Sequence, residues 1–339
     1  MTDYSQDARV ALMHRWLRND LQLGEYAFAP ASADASFRRY FRISLNGETR
    51  IVMDAPPDKE DTHPFVGIAR LFLQLGLHVP EILAQNETDG FLLLSDLGST
   101  DYLRRLNDNS EPQLYGAALT ALLKLQICPL PAAYPFPPYN KTLLLNEMGL
   151  FTEWYLGRHL HIELNDQQQA MFDHLFELLA DNALQQPQVV VHRDYHSRNL
   201  MVSEPNPGVL DFQDAVIGPV TYDLVSLLRD CYIAWPRSHV EQRVADYHRD
   251  AIAAGILSGV DFAQFLRWFD LMGVQRHLKA TGIFARLNYR DGKAGYLPDI
   301  PRTMGYVKEV ASRYTELADF AAFIAELEQR GERYLAVQP

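Results

Sequence analysis

A chain of 339 residues is too long for one small core and predicts two lobes or domains. Its 31 basic and 43 acidic residues give a net charge of −12, which argues against a nucleic-acid binder or a protein of anionic membrane surfaces. Two distant cysteines indicate free thiols in a reducing compartment. Because no membrane-length apolar segment or signal-peptide pattern is present, we expect a cytoplasmic protein.

The first hundred residues predict a small lobe of helices and β-hairpins. A helix is expected over residues 5–21, with Ser5 as its N-cap. Two strands flank the turn signal Asn46-Gly47. An amphipathic helix over residues 65–76 and a second hairpin over residues 79–94 follow.

After Gly98 the pattern becomes mainly helical. A proline-rich loop is expected over residues 129–138. Helices are predicted over residues 114–125, 143–156 and 166–180, around 224–231 and 262–269, and through the final 30 residues. We therefore predict an α+β fold with an N-lobe of residues 1–97, containing an antiparallel sheet, and a helical C-lobe of residues 98–339.

Residues 189–214, VVVHRDYHSRNLMVSEPNPGVLDFQD, carry the strongest chemical signal. Asp194, Asn199 and Asp211 have the spacing H-R-D-x-x-x-x-N followed by Asp-Phe. Phosphoryl transfer needs an acceptor for the hydroxyl proton and oxygen ligands for Mg2+ on the nucleotide phosphates. We predict Asp194 as the catalytic residue, Asn199 and Asp211 as metal ligands, and ATP with Mg2+ as cofactors. The alternative is that Asp194 and Asn199 are ordinary turn residues and that His192 is a core histidine.

The same residues resemble the aminoglycoside phosphotransferase-like small-molecule kinases, whose loop has the pattern H-x-D-x-H-x-x-N. His196 matches the second histidine of that pattern. The later segment GPVTYDLVSLL resembles one whose aspartate, here Asp223, supports the catalytic loop, as His192 is also expected to do. The resemblance covers nearly the whole chain and implies a two-lobed, protein-kinase-like fold.

Further segments, among them RRYFR, IVMDAPP, GLHVPEIL and FLLLSDLG, resemble the bacterial amino-sugar kinases within that family. This resemblance implies ATP-dependent phosphorylation of the anomeric C1 hydroxyl of N-acetylmuramate and N-acetylglucosamine. It also implies a place in peptidoglycan recycling that bypasses de novo UDP-N-acetylmuramate synthesis, the fosfomycin-sensitive route. We expect a monomer whose partner is a small sugar.

The nucleotide side departs from the kinase pattern. Residues 31–36 contain no glycine where a phosphate loop is expected, and Met53 stands where kinases carry a strand lysine. Arg38, Arg39, Arg42 or a Lys59–Glu60 pair are candidates to replace that lysine. The predicted nucleotide-binding residues are Ser32, Asp34, Ser36, Arg39, Met53, Asp96 and Leu97, the last two at a hinge.

The acceptor side has the weakest pattern. Residues 275–293 are locally basic in an acidic protein, which favours an anionic acceptor, although a solvent-exposed helix face explains the run equally well. The predicted acceptor-binding residues are His196, Arg198, Asp214, Glu153, Arg229, Tyr232 and Arg286.

Two other functions stay open. The first is a different small-molecule kinase, acting on an aminoglycoside, choline or homoserine. The second is a nucleotide-binding pseudokinase, which the missing strand lysine suggests. The complete set of Asp194, Asn199 and Asp211 argues against the second, because a protein that only binds nucleotide needs no proton acceptor.

Overall fold

The computed structural model describes residues 4, 6–32, 37–129 and 134–335, which divide into two compact units. The first unit comprises Met1–Arg105 and Leu200–Asp214, and the second Leu106–Asn199 and Ala215–Pro339. These bounds differ from the predicted division at residue 97. The segment Leu200–Asp214 joins the first unit because Met201 bridges to Asp101 and Gly208 bridges to His78.

The first unit is built on a five-stranded antiparallel sheet. Its strands are β1 Ala27–Ser32, β2 Arg39–Leu45, β3 Glu48–Asp54, β4 Ile82–Asn86 and β5 Phe91–Ser95. The order across the sheet is β1-β2-β3-β5-β4. The two-residue turn Asn46-Gly47, with positive φ at both residues, joins β2 to β3 as predicted. Of the residues expected to form a phosphate loop, Ala31 and Ser32 belong to the edge strand β1, which pairs with β2, and residues 33–36 lie outside the described residues.

Helix α1, Ala8–Arg15, packs on this sheet and continues in wider turns to Asp20. It begins at Asp7, whose carboxylate accepts the backbone N–H groups of Arg9 and Val10. The predicted cap Ser5 lies outside the described residues. Helix α2, His63–Gln74, is close to its predicted bounds, and α3, Tyr102–Arg105, is a single turn.

The second unit is mainly helical. Its helices are α4 Glu111–Gln126, α5 Lys141–Leu150, α6 Asp166–Leu184, α7 Tyr222–Leu228, α8 Arg237–Ala253, α9 Phe262–Asp291, α10 Ile300–Ala311 and α11 Ala318–Leu335. Helix α5 continues in wider turns to His159. Helix α8 was not predicted. One helix was expected over the last 30 residues. The structure instead has the end of α10, then a break, and then α11.

Four short strands lie within or directly beside residues 189–214, the stretch with the strongest chemical signal. Strand β6, Gln188–Val191, leads into it and pairs antiparallel with β9, Val216–Pro219. Strands β7, Leu200–Met201, and β8, Gly208–Val209, form a hairpin in the first unit. The loop of residues 192–199 therefore begins at the end of a buried strand.

Helix α9 is a 30-residue helix at the centre of the second unit. Its close approach to α5 depends on Gly282, where an added Cβ would lie 2.4 Å from the carbonyl carbon of Leu150. At Gly273 on the same helix, the nearest atom to an added Cβ would be 3.8 Å away. In the described part of the chain, no helix combines the length and apolarity of a membrane span.

We predict that Gly282→Ala lowers the free energy of unfolding by about 2 kcal/mol, because the methyl group overlaps the backbone of Leu150 and forces the helices apart. Gly273→Ala is the matched control and should be neutral or stabilising by up to about 1 kcal/mol, since alanine favours a helix interior. Urea denaturation followed by far-UV circular dichroism measures both. Equal stabilities for the two variants would contradict the close crossing.

Candidate active site

Two buried aspartates bind the backbone of the loop of residues 192–199. Asp223 accepts the backbone N–H groups of His192 at 2.6 Å and of Arg193 at 3.0 Å. Asp230 accepts the N–H group of Ser197 at 2.9 Å. Asp223 therefore occupies the supporting position expected from the sequence. Asp230 was missed, although it follows on the same segment as Asp223.

Asp194 and Asn199 are directly connected. The side-chain Nδ2 of Asn199 donates to the carbonyl oxygen of Asp194 at 3.0 Å. The N–H of Asp194 donates to Nδ1 of His192 at 3.2 Å, so His192 is a fully buried support of the loop. Because the carbonyl oxygen of Asp194 needs a donor, the atom of Asn199 that faces it is the amide nitrogen. The amide oxygen of Asn199 therefore points away from the carbonyl group of Asp194.

The electrostatic surroundings keep Asp194 ionised. Burial alone would raise the pKa of its carboxyl group, but the positive charges of Lys279 and Arg276 lower it, with a net decrease. A carboxylate at neutral pH can accept or orient the proton of a hydroxyl group. The arrangement is therefore suited to the role predicted for Asp194.

The backbone is strained at two residues of this stretch. Arg193, immediately before Asp194, has φ of 75°, and Asp211 has φ of 64°. Left-handed conformations at residues other than glycine cost roughly 1–3 kcal/mol and are found where surrounding contacts enforce them. At Arg193 the enforcing contact is the bond from its N–H to Asp223.

The side chain of Arg193 joins a buried cluster that the sequence did not reveal. Glu147 on α5 pairs with Arg193 at 2.5 Å and with Lys279 on α9 at 2.9 Å. Lys279 also donates to the hydroxyl group of Tyr222 at 3.0 Å. The sequence around Glu147 is that of an ordinary helix and does not indicate a buried ion pair. Its place in the cluster is seen only in the folded structure.

Asp211 lies in the first unit, two residues after β8. The next residue, Phe212, is fully buried and packs against Phe65 and Phe72 of α2, with ring centroids 4.9 and 5.6 Å apart. Gln213 donates its side-chain N–H to Asp211 at 2.8 Å. The buried aromatic ring fixes the path of the backbone at Asp211, while Asp214 is exposed.

The expected lysine position is part of the core of the first unit. Met53 is fully buried in β3, opposite Tyr40 and Leu92 of the neighbouring strands. The Lys59–Glu60 pair does not form as suggested, because Glu60 pairs with Arg38 at 3.8 Å and Lys59 pairs with Asp58.

The other arginines of this region are held by buried carboxylates. Arg39 contacts Asp54 at 2.5 Å and also binds Asp7, and Asp54 is additionally bound by Arg9. Asp54 is 1% exposed, so these ion pairs are partly protected from water. The charge of Arg39 is therefore already compensated within the protein.

The turn at residues 96–98, where a hinge was predicted, is ordered by the side chain of Asp96. Its carboxylate accepts Nε of Arg42 at 2.5 Å and the backbone N–H of Gly98 at 2.9 Å. Burial raises the pKa of Asp96, while Arg42 and the other donors lower it, with a net decrease. Leu97 is buried. Of the predicted phosphate-loop residues, Ser32 ends β1, and Asp34 and Ser36 lie outside the described residues.

Three predicted acceptor-binding residues meet beside the loop. The ring of His196 packs edge-on against Tyr232, with centroids 5.4 Å apart. The guanidinium of Arg198 lies over Tyr232 at 4.6 Å and over Tyr296 at 5.7 Å. Burial lowers the pKa of His196, so this ring is neutral at physiological pH. Together they form an aromatic surface with one cation.

The remaining predicted acceptor residues are dispersed. Arg229 is buried and paired with Glu309 at 2.8 Å, so its charge is already compensated. Arg286 on α9 is partly buried, and its Nε has no hydrogen-bond partner among the described residues. Glu153 is exposed and acts electrostatically on Arg286. Asp214 belongs to the first unit.

Comparison with known proteins identifies the family. Residues 27–257 match the family described as "Phosphotransferase enzyme family". A protein of Pseudomonas putida named N-acetylmuramate/N-acetylglucosamine kinase is 51% identical over 337 residues, covering 96% of this chain and 98% of that protein. A Pseudomonas aeruginosa protein of the same name is 46% identical, covering 97% and 99%.

A solved structure shows the same fold. The ADP-bound aminoglycoside phosphotransferase APH(2'')-Ib matches with a TM-score of 0.57 at 16% identity, covering 90% of this chain and 99% of that chain. The predicted α+β, protein-kinase-like fold class is thereby confirmed. From its family match and its relatives, the chain belongs to the phosphotransferase enzyme family.

Proposed function

We propose that this protein is an ATP-dependent sugar kinase. It transfers the γ-phosphoryl group to the anomeric C1 hydroxyl of N-acetylmuramate and N-acetylglucosamine. The observation that carries the proposal is the rigid loop in which an ionised Asp194 is bonded to Asn199. The substrates are those printed in the names of relatives that match along nearly the whole chain.

The protein groups have separate roles in this reaction. Asp194 accepts or orients the proton of the sugar hydroxyl. The amide oxygen of Asn199 and the carboxylate of Asp211 are hard oxygen donors of the kind that Mg2+ prefers, and we assign them as its ligands. When bound, Mg2+ neutralises the negative charge of the nucleotide phosphates.

The nucleotide site uses arginine in place of the strand lysine. Met53 is uncharged and cannot bind phosphate as a lysine does. Arg38, next to strand β2, pairs with the carboxylate of Glu60. This ion pair resembles the lysine–glutamate pair of other kinases. We assign Arg38 to the nucleotide phosphates. The backbone of Asp96 and Leu97 receives the adenine, since the Asp96 side chain is occupied by Arg42.

The acceptor side is assigned to the surface formed by His196, Arg198 and Tyr232. An aromatic face suits a sugar ring, and a guanidinium suits the carboxylate that N-acetylmuramate carries on its lactyl group. Among the described residues, no carboxylate pairs with Arg198, in contrast to Arg229. A cationic choline or aminoglycoside would be repelled here, which disfavours those acceptors.

The biological setting follows from the same substrates. A kinase that acts on the anomeric hydroxyl of free cell-wall sugars provides sugar 1-phosphates for nucleotide-sugar synthesis. We place the enzyme in the cytoplasm as a monomer that recycles peptidoglycan sugars and bypasses de novo, fosfomycin-sensitive synthesis. The pseudokinase alternative is disfavoured because the loop carries an ionised proton acceptor.

Release of ADP tests the proposed reaction. We expect turnover with ATP, Mg2+ and either N-acetylglucosamine or N-acetylmuramate, and none with choline, homoserine or an aminoglycoside. The methyl glycoside of N-acetylglucosamine is the matched control, because its anomeric oxygen is blocked while its other hydroxyl groups are intact. Equal turnover of the methyl glycoside would exclude the anomeric position.

Asp194→Asn should lower kcat by about 10²- to 10⁴-fold, because the amide cannot accept a proton. The dissociation constant of ATP should change by no more than about twofold, since Asp194 has no role in nucleotide binding. Steady-state kinetics and calorimetry measure the two effects. The exposed Asp173→Asn in α6 is the control and should behave as the wild type. Unchanged kcat in the Asp194 variant would refute its role.

Asp211→Asn should weaken ATP binding at least about tenfold when Mg2+ is present, because one anionic metal ligand is lost. With EDTA in place of Mg2+, the variant and the wild type should bind ATP equally. Isothermal titration calorimetry under both conditions separates a metal ligand from a general nucleotide contact. A loss of affinity that is the same with and without Mg2+ would contradict the assignment.

A further inference from the structure

Glu147 forms the centre of a buried charge cluster whose purpose the proposed chemistry leaves unexplained. Its side chain is 9% exposed and binds the guanidinium of Arg193 at 2.5 Å and the ammonium of Lys279 at 2.9 Å. One carboxylate from α5 thus connects the catalytic loop to α9. The positive charges of both partners lower the pKa of Glu147 against the effect of burial, so it is ionised.

Two tyrosines complete the cluster. The hydroxyl group of Tyr139 contacts Glu147, and Lys279 donates to the hydroxyl group of Tyr222 at 3.0 Å. The charge of Lys279 also lies 5.5 Å from the ring of Tyr222, and Arg193 lies 5.7 Å from that of Tyr139. Several short contacts from three segments therefore restrict the position of the Glu147 carboxylate.

Arg193 is held at both of its ends. Its backbone N–H is bound by Asp223 at 3.0 Å, and its guanidinium is bound by Glu147. Between these anchors the residue has φ of 75°, a conformation that non-glycine residues leave when they are free to relax. Rotation of Arg193 towards an ordinary conformation would change the direction of the next residue, Asp194.

We propose that Glu147 is a positioning residue for phosphoryl transfer, which acts by holding Arg193 in the left-handed conformation that aims Asp194. In this proposal Glu147 acts through Arg193 and not by contact with the substrate. Only the kinetic half of the test rests on the proposed function.

Glu111 provides a matched control in the same unit. It is also a buried glutamate, 1% exposed, which binds Arg243 at 2.9 Å and has Nε2 of His239 3.1 Å from its carboxylate. Both partners lie on α8. Glu111→Gln therefore removes a buried carboxylate of similar type without altering a bond to the catalytic loop. Any general effect of such a loss on stability should appear in both variants.

The kinetic test compares Glu147→Gln with Glu111→Gln. We expect Glu147→Gln to lower kcat roughly 10- to 100-fold, because small displacements of a catalytic group have effects of this size. Its KM for ATP should stay within about twofold of the wild type, since nucleotide binding does not involve Asp194. Glu111→Gln should keep kcat within about twofold while lowering the melting temperature.

A second measurement needs no substrate. Amide hydrogen exchange in the peptide that contains residues 192–194 should accelerate at least about tenfold in Glu147→Gln and stay unchanged in Glu111→Gln. If the wild-type protein fails to phosphorylate either sugar, the proposed function fails, and this exchange result still decides the role of Glu147.

Three results would overturn the proposal. The first is a folded Glu147→Gln variant with wild-type kcat, and the second is unchanged exchange at residues 192–194. The third is a wild-type kcat in Arg193→Gln. This variant should show the same loss of kcat as Glu147→Gln, because it removes the other partner of the ion pair. It also tests the proposal if Glu147→Gln does not fold. The Glu147→Gln/Arg193→Gln double variant should have a kcat no lower than that of either single variant, because the two residues act as a unit.

Discussion

The active site depends on two buried carboxylates that bind the backbone of the catalytic loop. Asp223 and Asp230 accept three N–H groups from residues 192–197. Each such group, if buried without a partner, would cost about 1–3 kcal/mol, so the bonds leave the loop few alternative conformations. Burial raises the pKa of Asp223 to about 7, and the two donated N–H groups act in the opposite direction. Asp194 is therefore positioned before any substrate arrives.

In the first unit, ion pairs between arginines and carboxylates similarly restrict the positions of side chains. Asp54 binds Arg9 and Arg39, Asp96 binds Arg42, and Glu60 binds Arg38. Because arginine does not lose its proton, these pairs persist over the whole physiological pH range. Each of these arginines is held in place by the carboxylate that it binds.

Local patterns predicted the elements whose information lies within a few residues. The Asn46-Gly47 hairpin and the spacing of Asp194, Asn199 and Asp211 are of this kind. Strand β1 was missed because its residues, AFAPAS, do not alternate between apolar and polar. Helix α8 was missed because its charged sequence, RSHVEQRVADYHRD, obscures the apolar stripe.

The supporting residues of the site could not be predicted in the same way. Glu147 and Lys279 are far from Arg193 in the chain and meet it only when α5 and α9 pack together. Asp230 resembles any helix-terminal aspartate until its burial and its bond to Ser197 are known. Sequence spacing brings out the candidate catalytic groups, whereas the residues that contact their loop are brought together only by long-range packing.

The most direct test of the proposed reaction is phosphorus NMR of the product made from ATP and N-acetylglucosamine labelled with carbon-13 at C1. Phosphorylation of the anomeric hydroxyl predicts a new sugar-phosphate signal that is split by coupling to the labelled carbon. A sugar phosphate without that coupling would place the phosphoryl group on another hydroxyl. Inorganic phosphate as the only product would show that the protein transfers the group to water.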